Sequence, residues 1–400
     1  MTDWKGPLDG IRVLDFTRVL SGPYATLLLG DMGAEVIKVE TVGKGDDTRH
    51  FPPFKEGMSH YFISLNRNKR SVTIDLKTPD GVKLAKDLGA RCDVVIENFR
   101  PGVMDRLGLG YDMLKADNPK LIYCAISGFG ATGPLKDKPS FDIVAQALSG
   151  AMSVNREPGQ PPTKLGLPMG DLGGGIFGTI AILGALHEVG RTGVGRKIDI
   201  SMLDGLLGLL GYLPQIYFVT GEAPKPYGTR HPSLLPYGAY ATTDGHVIVA
   251  CLTEDFWHNM ARAIGRADLL DDPRFATYDK RLANRDALED IVVPILKSRT
   301  TAEWVERLEE HDVPHAPILD VAEALEHPNT QARGMIGSVA HPEIGDLDVV
   351  ANPILYDGMG RLPMTPPPDL GADTDAVLSE LLDLDANAVA ALRQRGVVGG

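Results

Sequence analysis

The sequence predicts an α/β fold: a large domain with a parallel sheet built from βαβ units, and a smaller α+β domain. Three observations carry this. Short apolar runs alternate with helical patterns of roughly ten to fifteen residues through the first half of the chain, the spacing of βαβ units. The 400 residues exceed the ~250–300 at which a single core stops growing. The texture then changes near residue 225, where Gly221–Pro236 is rich in glycine and proline.

Ile11–Phe16 reads as the first strand, followed by the glycine-bounded segment Gly22–Gly33 and a second strand, Glu35–Glu40. Val72–Leu76 and Asp93–Glu97 are the next strands, with a helix over Asp80–Gly89 between them. Leu121–Ser127 is a further strand and Phe141–Met152 a helix. The most apolar stretches, Gly173–Leu186 and Leu206–Val219, fall short of the ~18 residues of a membrane span and are expected as buried helices. Tyr240–Cys251 predicts a hairpin with Asp244-Gly245 as a type I′ turn. Helices are expected over Arg285–Val293, stopped by Pro294, and over Thr301–Glu310. Beyond residue 335 come a strand at Leu347–Val350, the proline-rich run Pro363–Pro368 and two terminal helices. The domain boundaries drawn from these changes are 1–222, 223–334 and 335–400.

A net charge of −13 argues against nucleic-acid or anionic-membrane partners, which need a basic field. Cys92, Cys124 and Cys251 are odd in number and far apart, so neither a disulfide framework nor a metal site is expected, and a reducing, cytoplasmic compartment fits best. His311 and His315 have i,i+4 spacing, but Pro314 disfavours the helix that would align them as metal ligands. The N-terminal residues carry no apolar core of the signal-peptide kind.

Several segments, taken in order, resemble the class III CoA-transferases, the family of formyl-CoA transferase and carnitine CoA-transferase. They are Val13–Thr17 with Gly22-Pro23, Gly33–Glu40, Asn66–Ser71 with Asp75–Lys77, Asp93–Gly108, Ser127–Gly130, Gly170-Asp171, and Gly195–Lys197 leading into Asp199–Asp204. Arg230–Pro232 and Pro236–Gly238 continue the match, which spans essentially the whole chain. The resemblance implies an interlocked-ring homodimer in which each subunit has a Rossmann-like large domain and a small domain. It also implies that residues 335–400 return to the large domain. The substrates it implies are an acyl-CoA and a carboxylic acid, with the coenzyme A thioester as co-substrate, no tightly bound cofactor and no metal.

Asp171 lies in the segment 165–175, just ahead of an apolar helical pattern. An aspartate there is commonly a helix N-cap. The resemblance instead identifies Asp171 as the catalytic carboxylate, and the chemistry agrees with it. With a reference pKa of ~3.9, an aspartate is ionised at neutral pH and can attack a thioester without a general base. Gly173, Gly174 and Gly175 have two readings of equal standing: backbone N–H donors for an oxyanion at a helix start, or close helix packing.

For coenzyme A, Asn98, Phe99, Val103 and Arg106 match positions that touch the coenzyme in the family, and Val19 and Leu20 match the segment that lies along the nucleotide. Lys69, Arg70 and Lys138 supply positive charge for its phosphates. Arg49, His50, Arg67, Arg230 and His231 are candidates for the acceptor carboxylate. Formyl-CoA transferase has glutamine where Leu20 stands and arginine where Thr41 stands, so formyl-CoA and oxalate are not expected as substrates. The related 2-methylacyl-CoA racemases use a histidine in a Gly-His-Asp segment. Here that stretch is Ser140-Phe141-Asp142, and phenylalanine cannot take up a proton. A non-catalytic acyl-CoA binding protein is the remaining alternative, and the intact Asp171 with its glycines counts against it.

Overall fold

A computed structural model describes residues 5–356 and 360–399. They form two compact units: residues 5–152, 164–222 and 332–399 in the first, and 153–163 with 223–331 in the second. The segment Ser153–Thr163, read from sequence as part of the large domain, therefore belongs with the small one.

The first unit is built on a six-stranded sheet. Its strands are β1 (Arg12–Asp15), β2 (Glu35–Glu40), β3 (Lys69–Thr73), β4 (Val94–Glu97), β5 (Ile122–Ser127) and β6 (Lys197–Ser201), in the order β3-β2-β1-β4-β5-β6. All five pairings are parallel, with Val13 opposite Val36 on one side and Val94 on the other. Strands covered on both faces need apolar side chains in both directions, and Val13, Leu14, Ile37, Val94, Val95 and Ile96 are all fully buried. One face packs against α2 (Pro79–Gly89), which is capped by Thr78, and against the C-terminal helices Thr374–Leu382 and Ala386–Gln394. The other face is covered by α1 (Ser21–Asp31) and α4 (Met169–Thr192). The last two helices return to this unit.

The third strand both starts and ends three residues earlier than expected, and it ends early because Ile74 and Asp75 leave the ladder to pair with Val398 and Val397 near the C-terminus. The helix over 141–152 is α3 (Asp142–Leu148) plus a separate turn at Ala151–Val154, split by Gly150 at φ +85°. Gly173–Leu186 lies within the 24-residue α4, which by length and composition alone could cross a membrane. Its small-residue face is sunk in the core, with Gly174 and Gly178 against Ile126 and Gly175 against Ser21 of α1. The expected helix Leu206–Val219 is corrected to two, Met202–Leu209 and Leu213–Thr220, bent 75° apart across Gly211. The first of these buries Met202 and Leu206, as expected, but the second is not buried: Phe218 is 72% exposed and Val219 74%.

In the second unit, strands Tyr237–Ala241 and His246–Ala250 form the expected hairpin, joined by His315–Pro317. Its turn is not type I′, since neither Asp244 nor Gly245 has positive φ. The Asp244 carboxylate instead accepts from Thr301 N–H (2.8 Å) and the Thr242 hydroxyl (3.1 Å), which fixes a four-residue connection. The helix Arg285–Leu296 runs through Pro294 into its last turn.

Candidate active site

The strand order reverses between β1 and β4, and in open parallel sheets the crevice beyond such a reversal, at the carboxyl ends of the strands, receives ligands. Two cavities open there. One, of about 220 Å³, is lined by Phe16, Arg18, Thr41, Ile74, Lys77 and Phe99 among others. The second, of about 190 Å³, is lined by Asn98, Phe99, Arg100, Lys136, Lys138 and Phe141 among others. Phe99 forms a wall of both. The fold thus brings together Asn98, Phe99 and Lys138, named from sequence, with Arg18, Thr41 and Lys77, which were missed. Arg18 could have been found: it stands three residues beyond the end of β1, at the crevice, and Thr41 accepts from its guanidinium at 3.2 Å. That guanidinium also lies over the Phe99 ring, 5.1 Å from its centre.

Asp171 sits in the first turn of α4, half-buried. Asp142, at the start of α3, caps that turn: its Oδ1 accepts from Gly170 N–H at 2.7 Å and from Asp171 N–H at 3.4 Å. Gln146 completes the brace, donating to Asp142 Oδ2 (2.6 Å) and accepting from Leu165 N–H (2.8 Å). Burial, with the Asp142 charge next in weight, pushes the Asp171 carboxyl up to about 7. Full ionisation at neutral pH, expected from the reference value, is therefore corrected: near pH 7 the group is divided between its two forms. Tyr61 was also missed from sequence. Its hydroxyl is raised by burial and then by the field of Asp171, and it packs with Leu20 and Leu172.

The three glycines occupy the second turn of α4, where backbone N–H groups bond back along the helix; Leu172 already donates to Pro168 O at 2.9 Å. They are not free donors at a helix start. All three are buried, and a Cβ on Gly175 would stand 2.6 Å from Ser21 O. Close packing is the role this geometry gives them.

Several expected binding groups are engaged elsewhere. The side chain of Lys69 is wholly buried, 3.4 Å from Asp15 and 3.0 Å from Asn66 Oδ1, and burial lowers its pKa to about 8. Arg70 pairs with Glu35 (2.8 Å) and Glu380 (2.7 Å) on the edge strand β3. These two cations serve the fold and do not line the crevice, which corrects the expectation that they meet phosphates. Arg49 forks onto Glu40 (2.6 and 2.8 Å), and Arg67 onto Asp31 (2.6 and 3.0 Å). In the second unit Arg230 pairs with Glu289 at 3.2 Å and lies over the Tyr240 ring, while His231 Nδ1 accepts from Ser233 and Leu234 N–H. His50 is exposed and meets Lys44 O at 3.0 Å. Val103 opens the short helix after Asn98, half-buried, and Arg106 closes it with an exposed side chain. Phe141 is 74% exposed beside Lys138.

Residues 8–374 match the family model described as CoA-transferase family III. The human protein named succinyl-CoA:glutarate CoA-transferase is 36% identical over 393 residues, 98% of this chain and 90% of that one. Acetyl-CoA:oxalate CoA-transferase of Acetobacter aceti is 40% identical over 355 residues, 88% of this chain and 90% of the other. Among solved structures, a CAIB/BAIF family protein from Brucella suis superposes with a TM-score of 0.85 at 36% identity, covering 94% of this chain and all of that one.

Proposed function

The chain belongs to CoA-transferase family III, and on that premise we propose that Asp171 is its covalent nucleophile and short dicarboxylic acids its substrates. As a member it is an enzyme that passes coenzyme A from an acyl-CoA to a carboxylic acid by way of CoA thioesters. The observation that carries the proposal is the placement of Asp171: a carboxylate braced at a helix start and half shielded from the water that would hydrolyse an activated acyl group.

In its ionised form Asp171 attacks the thioester carbonyl, the C–S bond breaks, and the coenzyme A thiolate leaves an aspartyl–acyl anhydride behind. The thiolate then attacks the aspartyl carbonyl, releasing the donor acid and forming an aspartyl-CoA thioester. The acceptor carboxylate attacks that thioester, expelling the thiolate once more, and the thiolate takes the acceptor acyl group from the second anhydride. Each step exchanges one activated acyl for another, so no barrier is asked to carry the whole transfer. The crevice with Arg18, Lys77, Phe99 and Lys138 would hold the coenzyme: cations for its phosphates, an aromatic wall for its base, and Asn98 between the two cavities.

Dicarboxylates other than oxalate are favoured by the name of the human relative, which pairs succinyl-CoA with glutarate. A homodimer belongs to the same reading, supported by the exposed Ile180, Phe218 and Val219, as does a cytoplasmic setting with its three cysteines reduced. The racemase alternative lacks support at Phe141, an exposed side chain with no proton to exchange.

The test is a CoA-exchange assay with succinyl-CoA and a panel of acids, followed by mass spectrometry. Wild-type enzyme should form glutaryl-CoA or another diacid thioester, and Asp171→Asn and Asp171→Ala should abolish it. Full activity in both variants removes Asp171 from the mechanism. Transfer to monocarboxylates alone removes the diacid reading.

A further inference from the structure

Val19 has a φ of +65°. A β-branched residue is rarely found in this left-handed region, and it persists there only where its surroundings over-determine it. The surroundings here are unusual in their completeness. Thr17 donates its N–H (2.8 Å) and its hydroxyl (2.5 Å) to Asp15, and its carbonyl accepts from Lys38 Nζ at 2.9 Å. Arg18 is held at both backbone groups by Asn98, its N–H donating to Oδ1 (2.8 Å) and its carbonyl accepting from Nδ2 (2.7 Å). Val19 N–H donates to Asp46 Oδ1 at 3.3 Å. Asp46 is paired with Lys38 at 2.9 Å, and both side chains are essentially excluded from solvent.

Buried charges of this kind are a poor source of stability, and in some proteins they fix local geometry instead. Here three of them (Asp15, Lys38 and Asp46) converge with Asn98 on one turn. On its open side Phe16 and Arg18 line the larger cavity, and Leu20 packs with Tyr61 and Leu172 beside Asp171.

We propose that Asn98 and the buried Lys38–Asp46 pair are positioning residues that hold Val19 left-handed, so that the Phe16–Leu20 turn has the shape that receives coenzyme A before it arrives. This deepens the reading of the crevice as the coenzyme site and rests on it. If the clamp is loosened, the turn relaxes to an ordinary conformation and only a fraction of molecules is competent, which lowers apparent affinity by that fraction. Glycine at position 19 would take positive φ without strain and so would make the clamp less necessary.

The experiment measures coenzyme A binding by titration calorimetry and transfer kinetics on the full chain, with melting temperature as a control. Asn98→Ala is expected to weaken binding about tenfold, the worth of one to two hydrogen bonds. The double variant Asn98→Ala/Val19→Gly should regain most of the affinity, and Val19→Gly should melt higher than Val19→Ala. Unweakened binding in Asn98→Ala overturns the proposal. So does weakening that glycine does not rescue, since a hydrogen bond from Asn98 to the coenzyme itself could not be restored by a change at position 19. The reverse melting order overturns it too. Should Asn98→Ala not fold, Asn98→Asp, which can accept from Arg18 but not donate, should bind more weakly and be rescued in the same way. Wild-type protein that fails to bind coenzyme A at all sinks the functional reading instead.

Discussion

Asp142 caps the helix that carries Asp171, with its Oδ1 2.7 Å from the nitrogen of Gly170 and 3.4 Å from that of Asp171 itself. One carboxylate is thereby placed where it both fixes the backbone of a second and repels its charge. On the proposed role of Asp171 as nucleophile, a carboxyl raised to about 7 must lose its proton to act, so kcat/KM should climb with pH and level off above about 7.

Asp142→Asn tests the cause. Asparagine caps a helix as well as aspartate does and can keep its oxygen toward Gly170, so the like charge is removed at the cost of the Gln146 hydrogen bond. The acid limb of the pH profile should move to lower pH, leaving burial as the remaining cause. An unmoved limb would show that burial alone sets the titration.

Two glycines of the same helix should respond in opposite directions. A Cβ at Gly175 meets Ser21 O at 2.6 Å, a backbone atom that cannot swing aside, so Gly175→Ala should cost about 1–3 kcal/mol. Nothing lies within 4 Å of a Cβ at Gly184, and Gly184→Ala should stabilise by about 0.5–1 kcal/mol through helix propensity. Denaturant unfolding of the two variants compares them directly.

Glu97 is buried at the end of β4, and burial pushes its carboxyl up to about 7, although it accepts from Phe99 N–H at 2.8 Å. A carboxyl with a folded pKa above its unfolded one carries no penalty in acid and an increasing one as pH rises from about 4.5 to about 7. Glu97→Gln keeps the acceptor and removes the ionisation. It should gain about 1–3 kcal/mol on wild type between pH 5 and pH 8, as read from urea unfolding at the two pH values.

Arg18 and Arg70 separate the two uses of a guanidinium. Arg18→Ala should raise the KM for acyl-CoA about tenfold with little change in kcat, the mark of binding removed equally from ground and transition states. Arg70→Ala should leave KM within about twofold and cost less than about 1 kcal/mol of stability, because its partners Glu35 and Glu380 are partly solvated. A large KM effect at Arg70 would return it to the coenzyme site.

The alternation of apolar runs with helical patterns by itself determined the parallel sheet, because a strand buried on both faces is written largely in Val, Leu and Ile, as Val13, Leu14, Ile37, Val94, Val95 and Ile96 are here. It also set the order of βαβ units, and the family resemblance singled out Asp171, Asn98, Phe99 and Lys138 as candidates. Charged residues were where the sequence misled. Lys69, Arg70, Arg49 and Arg67 look like ligand-binding cations one at a time, and nothing local shows that Asp15, Glu35, Glu40 and Asp31 wait for them across the sheet. Only the tertiary structure decided which cations are neutralised, that Gly173–Gly175 are packing surfaces, that Asp142 raises Asp171, and that Val19 is held against its preference. Each of those depends on charge, packing or strain between residues tens of positions apart, and such through-space terms leave no periodic trace along a chain.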